Sequence, residues 1–462
     1  MFKNYLKTAW RNLIGNISFS VINILGLAIG MASAIMILLW IQNEVSHDRF
    51  HEKKDRLYVA NNRDKVSGEL WAWNTTCKPL APALKQNYPD VEDAVRVNDY
   101  QTFLFTVGDK HMNITGAVAD SGFLNMFSFK LIAGNTDALK DNNSIVVTQK
   151  MAVKLFGNED VVGKTVRIDS ADNFTITGVL KDLPNNTVFS FEYLIPWSYL
   201  KKINQDDNNW NNNSVKTFIL LKPGISQASF DAKIKNITIN HTKDGDKSTT
   251  QVFTQLFSDT WLYSDSDNGV YVGGRIERVK LFAIIAIFIL LIACINFMNL
   301  STARSEKRAK EVGIRKVAGA TKKLLILQFI GESVILSFLA GILAIIIVEL
   351  SLHGFNQLVG KQLYIDFSNA MYWIFAILFV LFTGLLAGSY PAFYLSSYQP
   401  VKVLKGTFTA AGSVITPRKI LVVLQFTFAI ALIICTIIVQ HQIKFAQSRE
   451  TGYARNNLIY VN

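Results

Sequence analysis

The stretch STARSEKRAKEVGIRKVAGATKKLLILQ, residues 301–328, determines how the rest of the chain is interpreted. It lies between two long apolar runs, residues 279–300 and 324–350, and it holds eight lysines and arginines against two glutamates. A short, strongly basic loop between two apolar segments of membrane length is typical of the cytoplasmic side of a bilayer. The stretch therefore predicts two membrane helices that are joined on the cytoplasmic side.

The charges of this loop are spaced as they would be on a helix. Four of them recur at intervals of three or four residues, which places them on one helical face: Arg304, Arg308, Glu311 and Arg315. A structured, charged segment beside a membrane helix indicates a docking surface, and we interpret it as the contact surface for a soluble partner. The alternative is a loop whose positive charge only sets membrane orientation, with no partner.

Residues 308–333 resemble the cytoplasmic loop of the FtsX/MacB-type permeases of ABC transporters. In that family a charged helix is followed by E-(I/V)-G-(I/V)-R-(R/K)-x-x-G-A and then by an apolar helix that carries Q-x-x-x-E. The matching positions are Glu311, Val312, Gly313, Ile314, Arg315, Lys316, Gly319, Ala320, Gln328 and Glu332. The resemblance implies that a cytoplasmic ABC ATPase of the LolD/MacB class docks on residues 304–320. Glu332 lies about two turns inside the apolar run and four residues after Gln328, where a carboxylate is costly unless it finds a partner. Gln328 and Glu332 are therefore expected to contact the loop, the ATPase or the helix bundle, with a Glu332 side chain that snorkels to the inner interface as the alternative.

The composition agrees with a membrane protein of several domains. The chain has 462 residues, half of them apolar, and a net charge of +12. Much of the positive excess lies in short loops beside apolar helices, so it argues for membrane orientation and against nucleic-acid binding. The cysteines are Cys77, Cys294 and Cys435, of which two lie inside apolar runs. We therefore expect neither a disulfide framework nor a metal site.

Hydropathy and the basic segments predict a multi-pass topology with a cytoplasmic N-terminus, and the resemblance implies a bacterial inner (plasma) membrane. Residues 1–16 suit an amphipathic helix on the cytoplasmic surface, and 17–41 an uncleaved anchor, because a signal peptide has a shorter apolar core. The remaining predicted membrane helices are 279–300, 324–350, 371–395 and 420–441. The predicted connections are a cytoplasmic coupling loop at 301–323, a short outer loop at 351–370, a cytoplasmic loop at 396–419 and the start of a second extracytoplasmic region at 442–462.

Small and polar residues inside these helices predict helix contacts. Gly26 and Gly30 are spaced to allow a second helix to approach closely, although simple helix tolerance of glycine is the alternative. Gly384 and Gly388 share that spacing, and Pro391 is expected to break or bend the fourth helix near its inner end. Asn296 and Asn299 are expected to hydrogen-bond across a helix contact, with a substrate role as the alternative.

Residues 42–275 form a polar region that mixes strands with short helices. SIVVT at 144–148, TVRI at 165–168, FTITGV at 174–179 and TFILL at 217–221 are predicted strands. Residues 81–87 and 150–156 are predicted helices. This region resembles the MacB-like periplasmic core domain, in the stretches 88–97, 120–135, 146–169 and 174–196. The predicted fold class is an α-helical membrane protein with a large α+β extracytoplasmic domain inserted after the first transmembrane helix.

The sequence gives no support for catalysis or nucleotide binding in this region. Residues 157–165 look like a phosphate-binding loop, but five residues instead of four separate the two glycines. We expect a turn between a helix and a strand. His47 and His51 lack the glutamate of a zinc protease motif, so H-D-R-F-H is expected to be an exposed turn. We predict no enzyme activity and no cofactor, with an extracytoplasmic hydrolase as a weak alternative.

The resemblance implies the permease subunit of an ABC transporter. A separate cytoplasmic ATPase would drive movement of the extracytoplasmic domain (mechanotransmission), in export or extraction of a peptide, antibiotic, lipoprotein or lipid. The alternative is an FtsX-like regulatory protein that activates an extracytoplasmic hydrolase or a sensor kinase. The chain is expected to be truncated from a two-module form, and thus to pair with a second permease module or copy. A periplasmic adaptor and membrane lipid complete the expected partners.

Overall fold

The computed structural model describes residues 17–242, 249–303, 305–397 and 417–449, without the side chains of 305–310 and 417–418. The predicted surface helix 1–16, Arg304, and residues 398–416 and 450–462 lie outside the described residues. The chain divides into two compact units. We call Met1–Ile41 with Leu281–Asn462 the helical unit, and Gln42–Lys280 the sheet unit.

The described chain opens with helix α1 (Ile17–Val45), whose last residues belong to the sheet unit. The remaining elements of the sheet unit are, in chain order, β1 (Leu57–Val66), β2 (Glu69–Trp73), β3 (Thr76–Cys77), α2 (Leu80–Asn87), β4 (Val91–Val107), β5 (Lys110–Ala119), α3 (Phe123–Met126), β6 (Leu131–Ala133), β7 (Ser144–Thr148), α4 (Gln149–Phe156), β8 (Thr165–Ile168), β9 (Asp172–Leu180), β10 (Tyr193–Pro196), α5 (Ser198–Lys202), β11 (Asn213–Leu221), α6 (Gln227–Ile234), α7 (Ile237–His241), β12 (Gln251–Leu256), β13 (Asp265–Asp267) and β14 (Val270–Gly273). All four predicted strands and both predicted helices are confirmed.

One mixed sheet of twelve strands organises this unit, in the order β12-β1-β11-β4-β5-β10-β7-β9-β6, with β2, β3 and β8 off that path. Most neighbours are antiparallel, while β10 with β5 and β7 with β9 are parallel. Because β7 is covered on both faces, every residue of SIVVT is buried. The residues that resemble a phosphate-binding loop form the expected turn: Gly157 (φ 80°) ends α4 in the left-handed region, and β8 begins at Thr165.

An aromatic cluster fills the core of the sheet unit. Phe127 lies at its centre, with its ring centroid 4.6 Å from that of Phe123, 5.0 Å from Phe189 and 5.1 Å from Phe218. Such tilted and edge-to-face ring pairs stabilise a core beyond their buried area. The cluster therefore joins β11 to α3 and to the loop that precedes β10.

The described part of the helical unit continues with α8 (Arg275–Ala303), α9 (Ser305–Val317), α10 (Lys322–Val359), α11 (Ala370–Ser396) and α12 (Pro417–Ser448). Five of the described helices, α1, α8, α10, α11 and α12, are long and apolar enough to span a membrane. Together with the α+β unit that follows the first of them, they match the predicted fold class.

The helices of the structure are longer than the membrane segments predicted from hydropathy, because they continue beyond their apolar runs. α10 extends to Val359 instead of 350. Gly360 (φ 63°) ends this helix, and its amide donates to the carbonyl of Asn356. The connection to α11 therefore covers only 360–369. α12 continues to Ser448 instead of 441. Hydropathy falls before either helix has met a residue that stops it.

Close approach of helices in the helical unit depends on small residues. A Cβ on Gly30 would lie 2.4 Å from the Cβ of Ala293, and one on Gly26 would lie 3.3 Å from Asn296 Nδ2. A Cβ on Gly384 would lie 2.9 Å from Val334 Cα, and one on Gly388 would lie 2.6 Å from Ser333 Cβ, both in α10. α11 continues through the buried Pro391 to Ser396, so the expected break does not occur.

The prediction of a polar contact between membrane helices is correct for Asn299. Its Nδ2 donates to Gln425 Oε1 of α12 at 3.3 Å. Ring stacking of Phe288 and Phe428, with centroids 4.6 Å apart, adds a second contact between α8 and α12.

Candidate functional site

The charged stretch that joins two membrane helices forms a short helix with a defined end. α9 stops at Val317, and Gly319 takes a φ of 93° that favours glycine. The amide of Ala320 donates to the Arg315 carbonyl at 2.9 Å, and the amide of Gly319 to the Lys316 carbonyl at 3.1 Å. This pair of bonds is the Schellman motif, which satisfies the last carbonyls of a helix and reverses the chain. α10 can therefore begin at once, with Thr321 as its N-cap.

A chain of polar side chains connects α9 to α10. Arg315 Nη2 donates to Glu311 Oε1 at 2.7 Å, and its Nη1 donates to Gln328 Oε1 at 2.8 Å. The Gln328 amide then donates to Glu332 Oε1 at 3.1 Å, one turn further along α10. The fork of the guanidinium allows one side chain to hold two acceptors at once. Arg315 is thus engaged within the helical unit.

The neighbouring lysine connects α9 to α11. Lys316 Nζ donates to the carbonyl oxygen of Ser396, the last residue of α11, at 2.7 Å. A cation at the C-terminal end of a helix also interacts favourably with the helix dipole. A small apolar cluster lies beneath these bonds and consists of Val312, Leu325, Phe329, Ala392 and Leu395. α9 is therefore attached to both α10 and α11.

Near its C-terminal end, α9 exposes two apolar residues on the side opposite these contacts. The exposed fraction is 61% for Ile314 and 67% for Val317, which lie three residues apart on the same side of the helix. Lys322 and Lys323 are exposed at the start of α10. We call these two exposed apolar residues of α9 and the two exposed lysines that follow them along the chain the α9 face.

The structure describes the side chains of two of the four charged residues that the sequence placed on one face. Glu311 and Arg315 contact each other, and Arg315 also contacts Gln328, whereas the side chain of Arg308 is not described and Arg304 lies outside the described residues. Gly313 is buried. Sequence reasoning did not consider Val317 or the contact of Lys316 with Ser396. The signal for the α9 face was present, because Ile314 and Val317 are apolar residues with helical spacing in a charged segment.

In the sheet unit, the prediction of an exposed turn at H-D-R-F-H is wrong. His47, Asp48 and His51 are all buried. Asp48 accepts hydrogen bonds from the Thr187 hydroxyl and from the Val188 amide, the latter at 3.1 Å to Oδ2. These partners lie far along the chain, so local sequence gave no sign of them.

Burial perturbs the two ionisable groups of this turn in opposite directions. Loss of solvation raises the pKa of Asp48 to about 7, against the lowering effect of its hydrogen bonds. Burial lowers the pKa of His51 to about 4. His51 Nδ1 accepts from the Ser128 amide at 3.0 Å, and its Nε2 lies 4.0 Å from Asp48 Oδ1. Among the described residues, no group of three His, Cys, Asp or Glu side chains is arranged to hold a metal ion.

Two family models match this sequence. The model described as "MacB-like periplasmic core domain" matches residues 20–237, and the model described as "FtsX-like permease C-terminal" matches residues 283–400. The second match contains α9, α10 and the contacts of Arg315 and Lys316. The first contains most of the sheet unit.

Curated relatives agree with both matches. The macrolide export ATP-binding/permease protein MacB of Campylobacter jejuni is 25% identical over 427 residues, which cover 86% of this chain and 60% of the relative. The ABC transporter permease YknZ of Bacillus subtilis is 25% identical over 306 residues, which cover 62% of this chain and 68% of YknZ. The chain thus spans about 60% of the length of the Campylobacter jejuni relative. The structural match to the crystal structure of the periplasmic region of MacB from Actinobacillus actinomycetemcomitans covers 44% of this chain and 89% of the MacB region. Its TM-score is 0.32, at 15% sequence identity.

Proposed function

Because the chain belongs to the MacB/FtsX-type family of ABC transporter permeases, we propose that it is a permease subunit that transmits force. A separate cytoplasmic ATPase docks on α9, and ATP hydrolysis in that partner moves the membrane helices and the sheet unit. This chain is then not itself an enzyme, and it needs no cofactor of its own.

The observation that carries this proposal is the attachment of α9 to two membrane helices. Arg315 bonds to Gln328 of α10, and Lys316 bonds to Ser396 of α11. A displacement of α9 therefore acts on both helices together. Charge-assisted hydrogen bonds are shorter and stronger than neutral ones, which suits a contact that must transmit a load.

The α9 face supplies the docking chemistry. Ile314 and Val317 are exposed apolar side chains at the end of a polar helix, and Lys322 and Lys323 lie beside them along the chain. Interface centres are depleted in charge, and their margins are polar. The matching surface on the ATPase is an apolar groove with an acidic margin.

The proposed location is a bacterial inner (plasma) membrane, with the N-terminus and α9 cytoplasmic and the sheet unit on the other side. The excess of lysine and arginine in residues 301–323 supports this orientation. The candidate spans contain few ionisable residues, so they do not suit a path for polar solutes. Action on a substrate outside the membrane fits these spans better than a path through them. The other proposed partners are a second permease module or copy, a periplasmic adaptor and membrane lipid.

Export is the direction of transport that the relatives favour. The relative from Campylobacter jejuni is named for macrolide export, and another from Pseudomonas syringae for pyoverdine export. Neither name fixes the substrate of this chain.

Affinity purification of the full chain from its own cells tests the proposal. We expect an ABC ATPase to be recovered with the wild type and to be lost at least in large part with Ile314→Glu. The control is Val270→Glu, which places the same charge on an exposed apolar residue of the sheet unit (48% exposed) and should leave recovery unchanged. Absence of an ATPase from the wild type, or its retention by Ile314→Glu, would contradict the proposal. Recovery of a hydrolase or a sensor kinase with the ATPase would favour the regulatory alternative.

A further inference from the structure

A tryptophan of the sheet unit contacts the ends of two long helices. α1 ends at Val45, and α8 begins at Arg275. The indole N–H of Trp261 donates to Glu44 Oε2, near the end of α1, at 2.8 Å. The guanidinium carbon of Arg275 lies 3.7 Å from the centre of the same indole ring. Trp261 therefore connects two helix ends that are far apart in the sequence.

A third residue completes this arrangement. The imidazole of His47 is stacked on the indole of Trp261, with ring centroids 3.8 Å apart and an interplanar angle of 17°. We call Glu44, His47, Trp261 and Arg275 the Trp261 clasp. All four belong to the sheet unit, and both Glu44 and His47 are buried.

Hydrogen bonds to backbone carbonyls hold both sides of the clasp in place. The Ile276 amide, in the first turn of α8, donates to the carbonyl of Leu262 at 3.1 Å. Asn186 Nδ2 donates to the carbonyl of Ser46, just after α1, also at 3.1 Å. The end of α1 is thus fixed to the loop before β10, and the start of α8 is fixed to the loop that carries Trp261. The indole joins these two ends to each other, beyond the ring contact of Trp40 in α1 with Phe282 in α8, whose centroids lie 4.9 Å apart.

We propose that Trp261 is a positioning residue that keeps the outer ends of α1 and α8 together, so that they move as a pair when the membrane helices are displaced. This inference rests on the proposed function for its purpose, and on the clasp geometry for its mechanism. A cation over an aromatic face and a buried N–H bond to a carboxylate both resist separation. Without the indole, the ends of α1 and α8 beyond the Trp40–Phe282 contact would lose this constraint, and a force on one helix would reach the other less directly.

Distances between spin labels in the full chain test this inference directly. Gln42→Cys and Arg278→Cys place labels on exposed positions beside the clasp, after Cys435→Ser removes the exposed native cysteine. We expect a narrow distance distribution in the wild type, and a distribution that broadens about twofold in Trp261→Leu, because the helix ends then sample separate positions. Trp261→Phe keeps a ring for Arg275 and His47 and should recover part of the narrow distribution.

Controls separate positioning from folding. Trp71→Leu removes an exposed tryptophan of the same unit (55% exposed) and should leave the distribution narrow. The melting temperature of each variant reports on folding. Glu44→Gln keeps an acceptor for the indole N–H, so it should retain the narrow distribution. An unchanged distribution in Trp261→Leu overturns the inference.

The complex with the ATPase then tests the purpose of the clasp. With ATP, the sheet unit of the wild type should move. In the complex with Trp261→Leu, the ATPase should hydrolyse ATP within about twofold of its rate with the wild type, while the movement of the sheet unit is reduced. If no ATPase binds the wild type, the proposed function fails, whereas the label distances without nucleotide still decide the clasp. Equal movement in both proteins overturns the inference alone.

Discussion

Arg315 of α9 and Gln328 of α10 are joined by a hydrogen bond of 2.8 Å between Nη1 and Oε1. The bond crosses the Schellman turn that separates the two helices, and the same guanidinium also holds Glu311. An arginine that the sequence alone predicts to contact a partner thus holds α9 against α10. Ile314 and Val317 are exposed on another side of α9.

Arg315→Met should loosen α9 without unfolding the helical unit. Hydrogen bonds to a charged group contribute about 1.5–3 kcal/mol, and we expect a local loss near the lower end because Arg315 is partly exposed. Amide hydrogen exchange over residues 311–317 should then accelerate by a factor of roughly 5–30. Lys322→Gln removes an exposed charge from the start of α10 and should have no such effect. Equal protection of α9 in both variants would show that the guanidinium does not hold it.

Gly30→Ala should destabilise the helical unit. The added Cβ would lie 2.4 Å from Ala293 Cβ, so α1 and α8 must separate. Overpacking of this kind costs about 1–3 kcal/mol, and the melting temperature of the protein in detergent should fall accordingly. Gly331→Ala is the matched control, because no atom lies within 4 Å of its added Cβ and alanine is the better helix former. A variant at position 30 that is as stable as the one at position 331 would refute this helix contact.

The sequence predicted those parts of the fold that depend on local pattern. SIVVT is a strand because four β-branched residues in succession, which follow Ser144, suit a position buried on both faces, and the structure buries all five residues. The glycine pair Gly26 and Gly30 predicted a close contact, although not its partner. That partner, Ala293, lies in a helix that follows the whole sheet unit, and no spacing rule relates the two.

Orientation and burial were less accessible from the sequence. Periodicity placed Arg315 on a helical face but could not show that this face meets α10, because that depends on the turn at Gly319. H-D-R-F-H is polar and was expected to be exposed. Three of its five residues, His47, Asp48 and His51, are buried, and Asn186 and Thr187, about 140 residues later, supply hydrogen bonds to Ser46 and Asp48.

The stability of the protein should depend on pH through Asp48 and His51 in opposite directions. The folded state holds the Asp48 proton up to a pKa of about 7, whereas the unfolded chain releases it near 3.8, so stability falls as the pH rises through this window. The pKa of His51 is about 4 when folded and 6.5 when unfolded, so its contribution falls as the pH decreases from 6.5 to 4. The two effects oppose each other between about pH 4 and 6.5.

Single substitutions should separate these effects. Asp48→Asn leaves the histidine, so the free energy of unfolding should rise from pH 4 to 6.5, by about 1 kcal/mol per pH unit at most. His51→Asn keeps an acceptor for the Ser128 amide, and its stability should fall from pH 4 to 7. Denaturant unfolding of the full chain across this range measures both slopes. Slopes of the same sign in the two variants would contradict the assignment.

Phe127→Ala should be among the most destabilising changes in the sheet unit. Phe127 is 2% exposed, and its ring meets Phe218 of β11 and Phe257 beyond β12, at centroid distances of 5.1 Å and 5.5 Å. Truncation of a buried phenylalanine costs about 3–5 kcal/mol, because the cavity removes contacts on every side. Phe50→Ala, at 36% exposure, should cost far less under the same denaturant unfolding. The ring also lies 5.2 Å from that of His51, whose pKa is lowered by burial. Where the Phe127 variant remains folded, the His51 pKa should therefore rise towards 6.5 in an NMR titration, and a pKa that stays near 4 would show that other residues bury this histidine.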